Sequence, residues 1–203
     1  MEPHATDNQR ERSAARILSE VLGPASLGTI LLVSSSLSSG WSLRNAGAAA
    51  VAVVFVTFGP LAGLLFLSRR GRVSDHHVSQ RTQRAPVLAA VLGSMIIGTV
   101  LLVGIGAPSG LYLMILGLAL GLVTVLVINL FWKLSIHAAV GAYFTAALVA
   151  LFGPLLILTA AVPLLVGWSR VRLGAHTTAQ VCCGWIVGVS VAAVFGWLTA
   201  VSL

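Results

Sequence analysis

Seven long apolar runs, separated by short polar segments, form the dominant pattern of the sequence. Five of them approach or exceed the roughly 20 residues with which a helix crosses a bilayer, whereas the fifth and sixth are shorter. The runs occupy residues 21–39, 46–67, 87–106, 111–130, 137–152, 154–168 and 178–201. The pattern predicts an all-α protein, a polytopic transmembrane helical bundle of about six to seven spans.

A Gly-Pro pair at residues 153 and 154 separates the two short runs and predicts a turn there. A single helix over residues 137–168 would be about 48 Å long and would hold its two ends far apart. We therefore expect two crossings, or a re-entrant hairpin, that return the chain to the side from which it started.

The N-terminal residues differ from the rest of the chain, because they are polar and mixed in charge. Within residues 8–22, apolar side chains recur at helical spacing among arginines. This favours an amphipathic helix at the membrane interface, and a frayed, solvated tail is the alternative. We divide the chain into an N-terminal polar or amphipathic cytoplasmic segment, residues 1–20, and a transmembrane domain, residues 21–203.

Basic residues are concentrated on one side of the predicted bundle. Alternating crossings put residues 1–20, 68–86, 131–136 and 169–176 on the same side, together with eleven of the twelve Lys and Arg residues. Six basic residues remain there, against one on the other side, after five candidate ligands are set aside, namely Arg81, Arg84, Lys133, Arg170 and Arg172. By the positive-inside rule this side is cytoplasmic, and we expect an integral protein of the plasma (inner) membrane.

The amino-acid composition supports a membrane protein and limits the kinds of partner that we expect. With 58% hydrophobic and 8% charged residues, the chain is too apolar for a soluble globule. The formal net charge is +7, but the basic residues lie at the ends of apolar runs and not in a stripe with aromatic residues. Nucleic-acid binding is therefore not expected, whereas membrane lipids and a phosphorylated lipid are expected partners. The oligomeric state is left open.

A polar cluster interrupts the apolar pattern before the last run. It consists of Ser169 and Arg170, five residues, His176, three residues and Gln180. Arg170 carries a planar, charged fork that matches phosphate oxygens, and His176 is a candidate nucleophile or proton carrier. If a helix begins at about residue 175, Gln180 lies one turn after His176 and can accept a bond from one imidazole nitrogen. An interfacial arginine anchor followed by a helix cap is the alternative interpretation.

Two further polar clusters fall on the same predicted side. Lys133, Ser135 and His137 stand at the start of a predicted helix, where free backbone donors and the helix dipole favour phosphate. Arg81 and Arg84 are one helical turn apart in the longest polar insertion. For these two arginines, a solvated run of charge is the alternative to phosphate binding.

The three clusters together resemble, in order, the signatures of the type 2 phosphatidic acid phosphatase superfamily. Residues 169–180 match its third signature, except that Gln180 stands where the family has aspartate. Residues 134–137 keep the serine and histidine of its P-S-G-H signature, and residues 77–86 follow its first signature in order and position only. The resemblance covers the chain from about residue 75 onward and implies that the transmembrane domain is phosphatase-like.

The resemblance implies an integral membrane enzyme that hydrolyses a lipid phosphate or an isoprenoid diphosphate. The excess of basic residues on the side of the three clusters predicts that its active site faces the cytoplasm. His176 would attack phosphorus to form a phosphohistidine, and His137 would protonate the leaving oxygen and later activate water. Gln180 would orient His176. The phosphoryl group would be bound by Arg170, Arg81, Arg84, Ser135 and Lys133.

A shortage of carboxylates separates this chemistry from metal-dependent routes. After Glu20 the chain has one carboxylate, Asp75, so it lacks the acidic cluster that holds Mg²⁺. We expect neither a metal ion nor another cofactor, and we interpret the adjacent Cys182 and Cys183 as packing residues. Two alternatives stay open, namely an isoprenoid diphosphate cyclase or transferase that uses the same pocket, and a non-catalytic protein that binds lipid phosphate.

Overall fold

Helices form almost all of the chain that the computed structural model describes. It describes the backbone of residues 3–71 and 81–202 and, within them, the side chains of residues 8–71, 86–198 and 200. This part of the chain contains no strand. The helices are α1 (Pro3–Val21), α2 (Pro24–Leu37), α3 (Leu43–Val53), a π-helical turn (Val54–Phe58), α4 (Gly59–Arg69), α5 (Arg81–Ile105), α6 (Ser109–Phe131), α7 (Ile136–Phe152), a 3₁₀ turn (Pro154–Ala160), α8 (Ala161–Arg172) and α9 (Thr178–Ser202).

Six helical segments among the described residues are long and apolar enough to cross a membrane. They are α2 with part of α1, the continuous helix α3–α4, α5, α6, the 3₁₀ turn with α8, and α9. α7 is apolar too, but it has only 17 residues. Large apolar side chains such as Val100, Leu158 and Trp197 are exposed on the outside, as expected of helices that face lipid. The predicted all-α, polytopic bundle of six to seven spans is confirmed, and the protein is an integral membrane protein.

A π-helical turn interrupts the continuous helix from Leu43 to Arg69. Pro60 follows this turn closely and has no backbone N–H, so the extra residue in the turn accommodates the missing donor. The Thr57 hydroxyl donates to the Val53 carbonyl (2.7 Å) and lies 3.2 Å from the Thr29 hydroxyl of α2. The widened turn lines a cavity that lies between these helices.

The predicted Gly-Pro turn is confirmed. α7 ends at Phe152, and Gly153 has a φ of +100°, a backbone conformation that favours glycine. The chain reverses through the 3₁₀ turn Pro154–Ala160, where the Thr145 hydroxyl of α7 donates to the Thr159 carbonyl (2.9 Å). α8 therefore runs back towards the start of α7, as the two-crossing prediction requires.

α7 and α9 cross at short range and form the centre of the bundle. Gly184 and Gly188 of α9 face the backbone of α7. A Cβ at Gly184 would lie 2.8 Å from the Ser135 carbonyl oxygen, and a Cβ at Gly188 would lie 2.8 Å from the Tyr143 nitrogen, so neither fits without a shift. This small-xxx-small pattern lets membrane helices pack closely. The crossing fixes the relation between the starts of the two helices, where the candidate histidines lie.

The predicted N-terminal helix is confirmed as α1, but its apolar residues are divided between two faces. Ala15 and Ser19 are buried against the bundle, whereas Ile17 and Val21 remain 63% and 60% exposed. The buried pair is spaced by one turn, and so is the exposed pair. α1 therefore packs on the bundle through small residues and presents larger apolar residues outward, as expected at a membrane interface.

Contacts between polar groups join three of the basic segments at one end of the bundle. Arg172 donates to the Asn8 side chain (2.9 Å) and forms an ion pair with Glu11, which ties α8 to α1. The Lys133 ammonium donates to the Ala175 carbonyl (2.8 Å), which ties the α6–α7 turn to the α8–α9 turn. These contacts confirm that the N-terminal segment and the two turns share a side. In the fourth basic segment, residues 72–80 and the side chains of residues 81–85 lie outside the described part of the chain.

Candidate active site

A cavity of about 800 Å³ lies at this end of the bundle. Most of its wall is apolar and comes from α2, the π-helical turn, α4, α5, α6, α7 and α9. Along α6 the lining residues extend from Gly117 to Asn129, which is about 18 Å at 1.5 Å per residue. This depth is close to that of one hydrocarbon leaflet, about 15 Å. Among the side chains that the structure describes, the charged and imidazole groups in the wall are Glu20, Lys133, His137, Arg170 and His176.

A Schellman motif ends α8 and explains the spacing between Arg170 and His176. Gly174 has a φ of +68°, and its N–H donates to the Val171 carbonyl (2.9 Å). The Ala175 N–H donates to the Arg170 carbonyl (3.0 Å), which completes the motif. The His176 N–H donates to the same carbonyl (3.3 Å). The five intervening residues therefore fold His176 back beside Arg170.

A capping box starts α9 and orients the imidazole. The Gln180 N–H donates to the Thr177 hydroxyl (3.3 Å), and Gln180 Oε1 accepts from the Thr177 N–H (3.1 Å). The same Oε1 lies 3.2 Å from His176 Nδ1. Because the Thr177 N–H needs an acceptor, the amide oxygen and not the amide nitrogen faces the ring. Nδ1 therefore carries the proton in this contact, and the neutral imidazole has its lone pair on Nε2.

The predicted contact between His176 and Gln180 is confirmed, although the helix starts later than the residue assumed for that contact. α9 begins at Thr178 and not at about residue 175. The Schellman turn occupies the preceding residues, and Thr177 then caps the helix, so His176 precedes the first helical turn. Gln180 does not line the cavity, and it contacts the site through His176.

Arg170 is a charged side chain that is only 6% exposed and lines the cavity. Its Nη1 donates to the Ser19 hydroxyl of α1 (2.8 Å), and Glu20 is close enough to attract the guanidinium electrostatically. Its Nε is buried without a hydrogen-bond partner. A buried unpaired donor costs about 1–3 kcal/mol, and more on a charged group. An acceptor from a ligand would remove this cost.

Buried polar contacts build the turn between α6 and α7. The Asn129 Nδ2 donates to the Val125 carbonyl (2.8 Å), and its Oδ1 accepts from the Leu134 N–H (3.3 Å). Ser135 is fully buried and caps α7, because its Oγ accepts from the Ala138 N–H (3.3 Å). Ser135 does not line the cavity. The structure therefore gives this predicted phosphate ligand a capping position.

Four of the predicted site residues lie on one cavity. Lys133 is exposed, His137 is partly buried in the first turn of α7, and both line the cavity together with Arg170 and His176. These residues come from the α6–α7 turn, α7, α8 and the α8–α9 turn. The structure thus brings together one lysine, one arginine and two histidines that lie up to 43 residues apart in the sequence.

The two arginines of the long polar insertion are only partly described. Arg81 and Arg84 lie in the first turn of α5, so the helical turn predicted for them is confirmed. Their side chains lie outside the described residues, as does the whole of His77. Their binding to phosphate stays a prediction. α5 continues through Pro86 without ending there.

Several cavity residues were missed from the sequence. Asn129 carried a weak signal, because it is a lone amide near the end of an otherwise apolar run. Tyr143 lines the apolar wall, and its hydroxyl donates to the Met114 sulfur (3.4 Å). Ser19 and Glu20 had no local signal, since the arginine that they face lies some 150 residues later.

No group of three or more His, Cys, Asp or Glu that could hold a metal ion lies within the part of the chain that the structure describes. Cys182 and Cys183 are free thiols of intermediate exposure, and Cys183 packs on the apolar core. The expectation that the protein uses neither a metal ion nor another cofactor stays a prediction.

No protein-family model, curated protein or solved structure matches this chain. The likeness to the type 2 phosphatidic acid phosphatases therefore rests on the signature residues alone, and the function has to be inferred from the geometry of the site.

Proposed function

We propose that the protein is an integral membrane phosphatase that hydrolyses a lipid phosphate or an isoprenoid diphosphate through a phosphohistidine, without a metal ion. One observation carries this proposal: a single cavity of leaflet depth has an apolar wall and carries Arg170, Lys133, His137 and His176. An apolar tail suits the wall, and a phosphoryl group suits the cationic and imidazole side chains.

In the proposed first step, His176 Nε2 attacks phosphorus. A phosphorus–nitrogen bond forms, the bond from phosphorus to the leaving oxygen breaks, and His137 gives its proton to that oxygen. Gln180 supports this step by keeping the proton of His176 on Nδ1. Arg170 and Lys133 neutralise charge on the phosphoryl oxygens as the transfer proceeds.

In the second step, His137 takes a proton from water as the water oxygen attacks the phosphohistidine. The phosphorus–nitrogen bond breaks, inorganic phosphate leaves, and His176 returns to its neutral state. The net reaction consumes one water and gives the alcohol, or the monophosphate in the case of a diphosphate, together with phosphate. By the excess of basic residues at this end of the bundle, the site faces the cytoplasm.

The test is release of phosphate by the purified protein, in EDTA, from phosphatidic acid, phosphatidylglycerophosphate and prenyl diphosphates of several lengths. We expect His176→Ala and His137→Ala to lose at least about 10²-fold in turnover, the low end for a positioned acid or base. Thr124→Ala, a partly buried α6 position that does not line the cavity, is the matched control and should keep wild-type turnover.

A substrate with a phosphorus-32 label and an activated leaving group separates the roles of the two histidines. Such a leaving group needs no proton, so His137→Ala should accumulate an acid-labile phosphohistidine, and His176→Ala should form none. A cyclic or prenylated product, or binding without phosphate release, would instead establish one of the two alternative functions. Full turnover by His176→Ala would eliminate the phosphohistidine.

A further inference from the structure

The first helix reaches into the cavity, although none of the candidate motifs lies in it. Ser19 and Glu20 of α1 line the cavity wall beside Arg170. Ser19 is only 2% exposed, so its hydroxyl is held in one place, and it accepts a hydrogen bond from Arg170 Nη1 (2.8 Å). A serine in a segment interpreted as an interfacial helix is thus in direct contact with the buried cation of the site.

The contact engages one side of the guanidinium, and the other side carries a buried donor without a hydrogen-bond partner. The Nε and Nη2 atoms form one edge, which matches two oxygens of a phosphoryl group, whereas Nη1 points away from that edge. The Ser19 hydroxyl accepts the hydrogen bond from Nη1, and Nε is buried without a hydrogen-bond partner. With Nη1 fixed, the guanidinium cannot rotate freely, so the edge that carries the unpaired Nε keeps one orientation.

We propose that Ser19 is a positioning residue for phosphate recognition: it holds Arg170 by Nη1 so that the Nε–Nη2 edge receives the phosphoryl group. This proposal rests on the proposed function, since it assigns the phosphoryl group to the same cavity. α1 thereby becomes part of the binding site and is more than a membrane-interface anchor. Glu20 supplies the negative charge that accompanies Arg170 when no phosphoryl group is bound.

A purely structural tie between α1 and α8 is the competing explanation, and the molecule contains a matched control for it. Glu11 of α1 pairs with Arg172 of α8, and neither residue lines the cavity. Glu11→Gln therefore loosens the same pair of helices without touching Arg170. If Ser19 served only to dock α1, Ser19→Ala and Glu11→Gln would have the same consequences.

The experiment measures affinity for inorganic phosphate and, in parallel, for dodecyl phosphate, by the rise in melting temperature of the purified full-length protein with ligand concentration. Both ligands are assayed at high ionic strength to suppress nonspecific attraction to the basic end. We expect Ser19→Ala to weaken both ligands about tenfold and to raise KM by a similar factor with a smaller change in kcat. Glu11→Gln should keep wild-type affinity, and Ser19→Thr, which keeps the hydroxyl, should restore most of it.

Equal affinity of Ser19→Ala and wild type for both ligands would overturn the proposal, as would equal losses in Ser19→Ala and Glu11→Gln. If Ser19→Ala does not fold, Ser19→Cys keeps the volume with a weaker acceptor and should show a partial loss. The measurement separates this proposal from the proposed function. The wild type could bind both ligands in a way that depends on Ser19 and yet never release phosphate. That result would support the positioning role of Ser19 and reject the proposed phosphatase activity.

Discussion

The close crossing of α7 and α9 offers a graded test of how the two candidate histidines are held. Three glycines on α9 differ in the room that α7 leaves them. A Cβ on Gly196 would make an ordinary 3.7 Å contact with the Ala150 Cβ, whereas a Cβ on Gly184 would lie 2.8 Å from the Ser135 oxygen. A Cβ on Gly188 would meet three atoms of α7 at 2.9 Å or less.

The size of the effect follows from these distances. An alanine at Gly184 has to move the helices apart by about 0.6 Å to reach an ordinary carbon–oxygen contact of about 3.4 Å. Overpacking of this kind costs about 1–3 kcal/mol of stability, and a misplacement of 1 Å can cost about 10²-fold in rate. We expect Gly184→Ala to lower kcat about tenfold, Gly188→Ala to lower it about a hundredfold, and Gly196→Ala to leave it unchanged.

The assay is phosphate release from a lipid phosphate in detergent, with the melting temperature of each variant measured beside it. The decisive comparison is between Gly184→Ala and Gly196→Ala, because both place the same methyl group on the same helix. Wild-type kcat in Gly184→Ala, or equal losses in the two variants, would refute the claim that this crossing sets the geometry of the site. If Gly188→Ala does not fold, the comparison of kcat between Gly184→Ala and Gly196→Ala still tests this claim.

Arg170→Lys should lose at least about tenfold in kcat/KM with little loss of folded protein, since a point charge cannot present two parallel donors, and near wild-type kinetics would make Arg170 an interface anchor. Gln180→Ala should lower turnover and Gln180→Asp should keep or raise it, as read from rates across a pH series, and indifference to Ala would contradict the proposed orientation of His176. In a background without native cysteines, an impermeant thiol reagent applied to intact cells should label a cysteine at Ser39, on the opposite side of the bundle. It should label a cysteine at Ser13 only after the membrane is opened. The reverse result would mean that the candidate active site faces the outside of the cell.

The fold followed from the sequence because its signals are local and strong. Apolar runs of membrane length predict spans, and the Gly-Pro pair after Phe152 predicts the reversal that brings α8 back beside α7. The exact helix starts were less predictable. His176 has the i to i+4 spacing of a helical pair with Gln180, yet the preceding Schellman turn delays the helix to Thr178. The contact survives because the capping glutamine reaches back past the helix start.

The site was predictable where its residues are neighbours in sequence and unpredictable where tertiary packing joins them. The position of Arg170 beside His176 is set by one turn, so the spacing carries the information. The contact between Arg170 and Ser19 joins residues 151 positions apart, and no pattern in α1 distinguishes Ser19 from other small polar residues. Ser135 shows the converse problem, since a serine at a helix start fits both a phosphate ligand and a cap.

The shared Arg170 carbonyl has a consequence for how this segment can vary. Two successive amides converge on that one oxygen, and the glycine between the helices has the positive φ that the turn requires. Most side chains of the turn can change without disturbing these two backbone hydrogen bonds. Adding or removing one residue, however, would change the direction in which the His176 imidazole points. Length, and not the identity of the intervening residues, is therefore what this segment has to preserve. Random single-residue deletions across residues 171–175 should be far more damaging than random substitutions there, with changes at Gly174 as the exception.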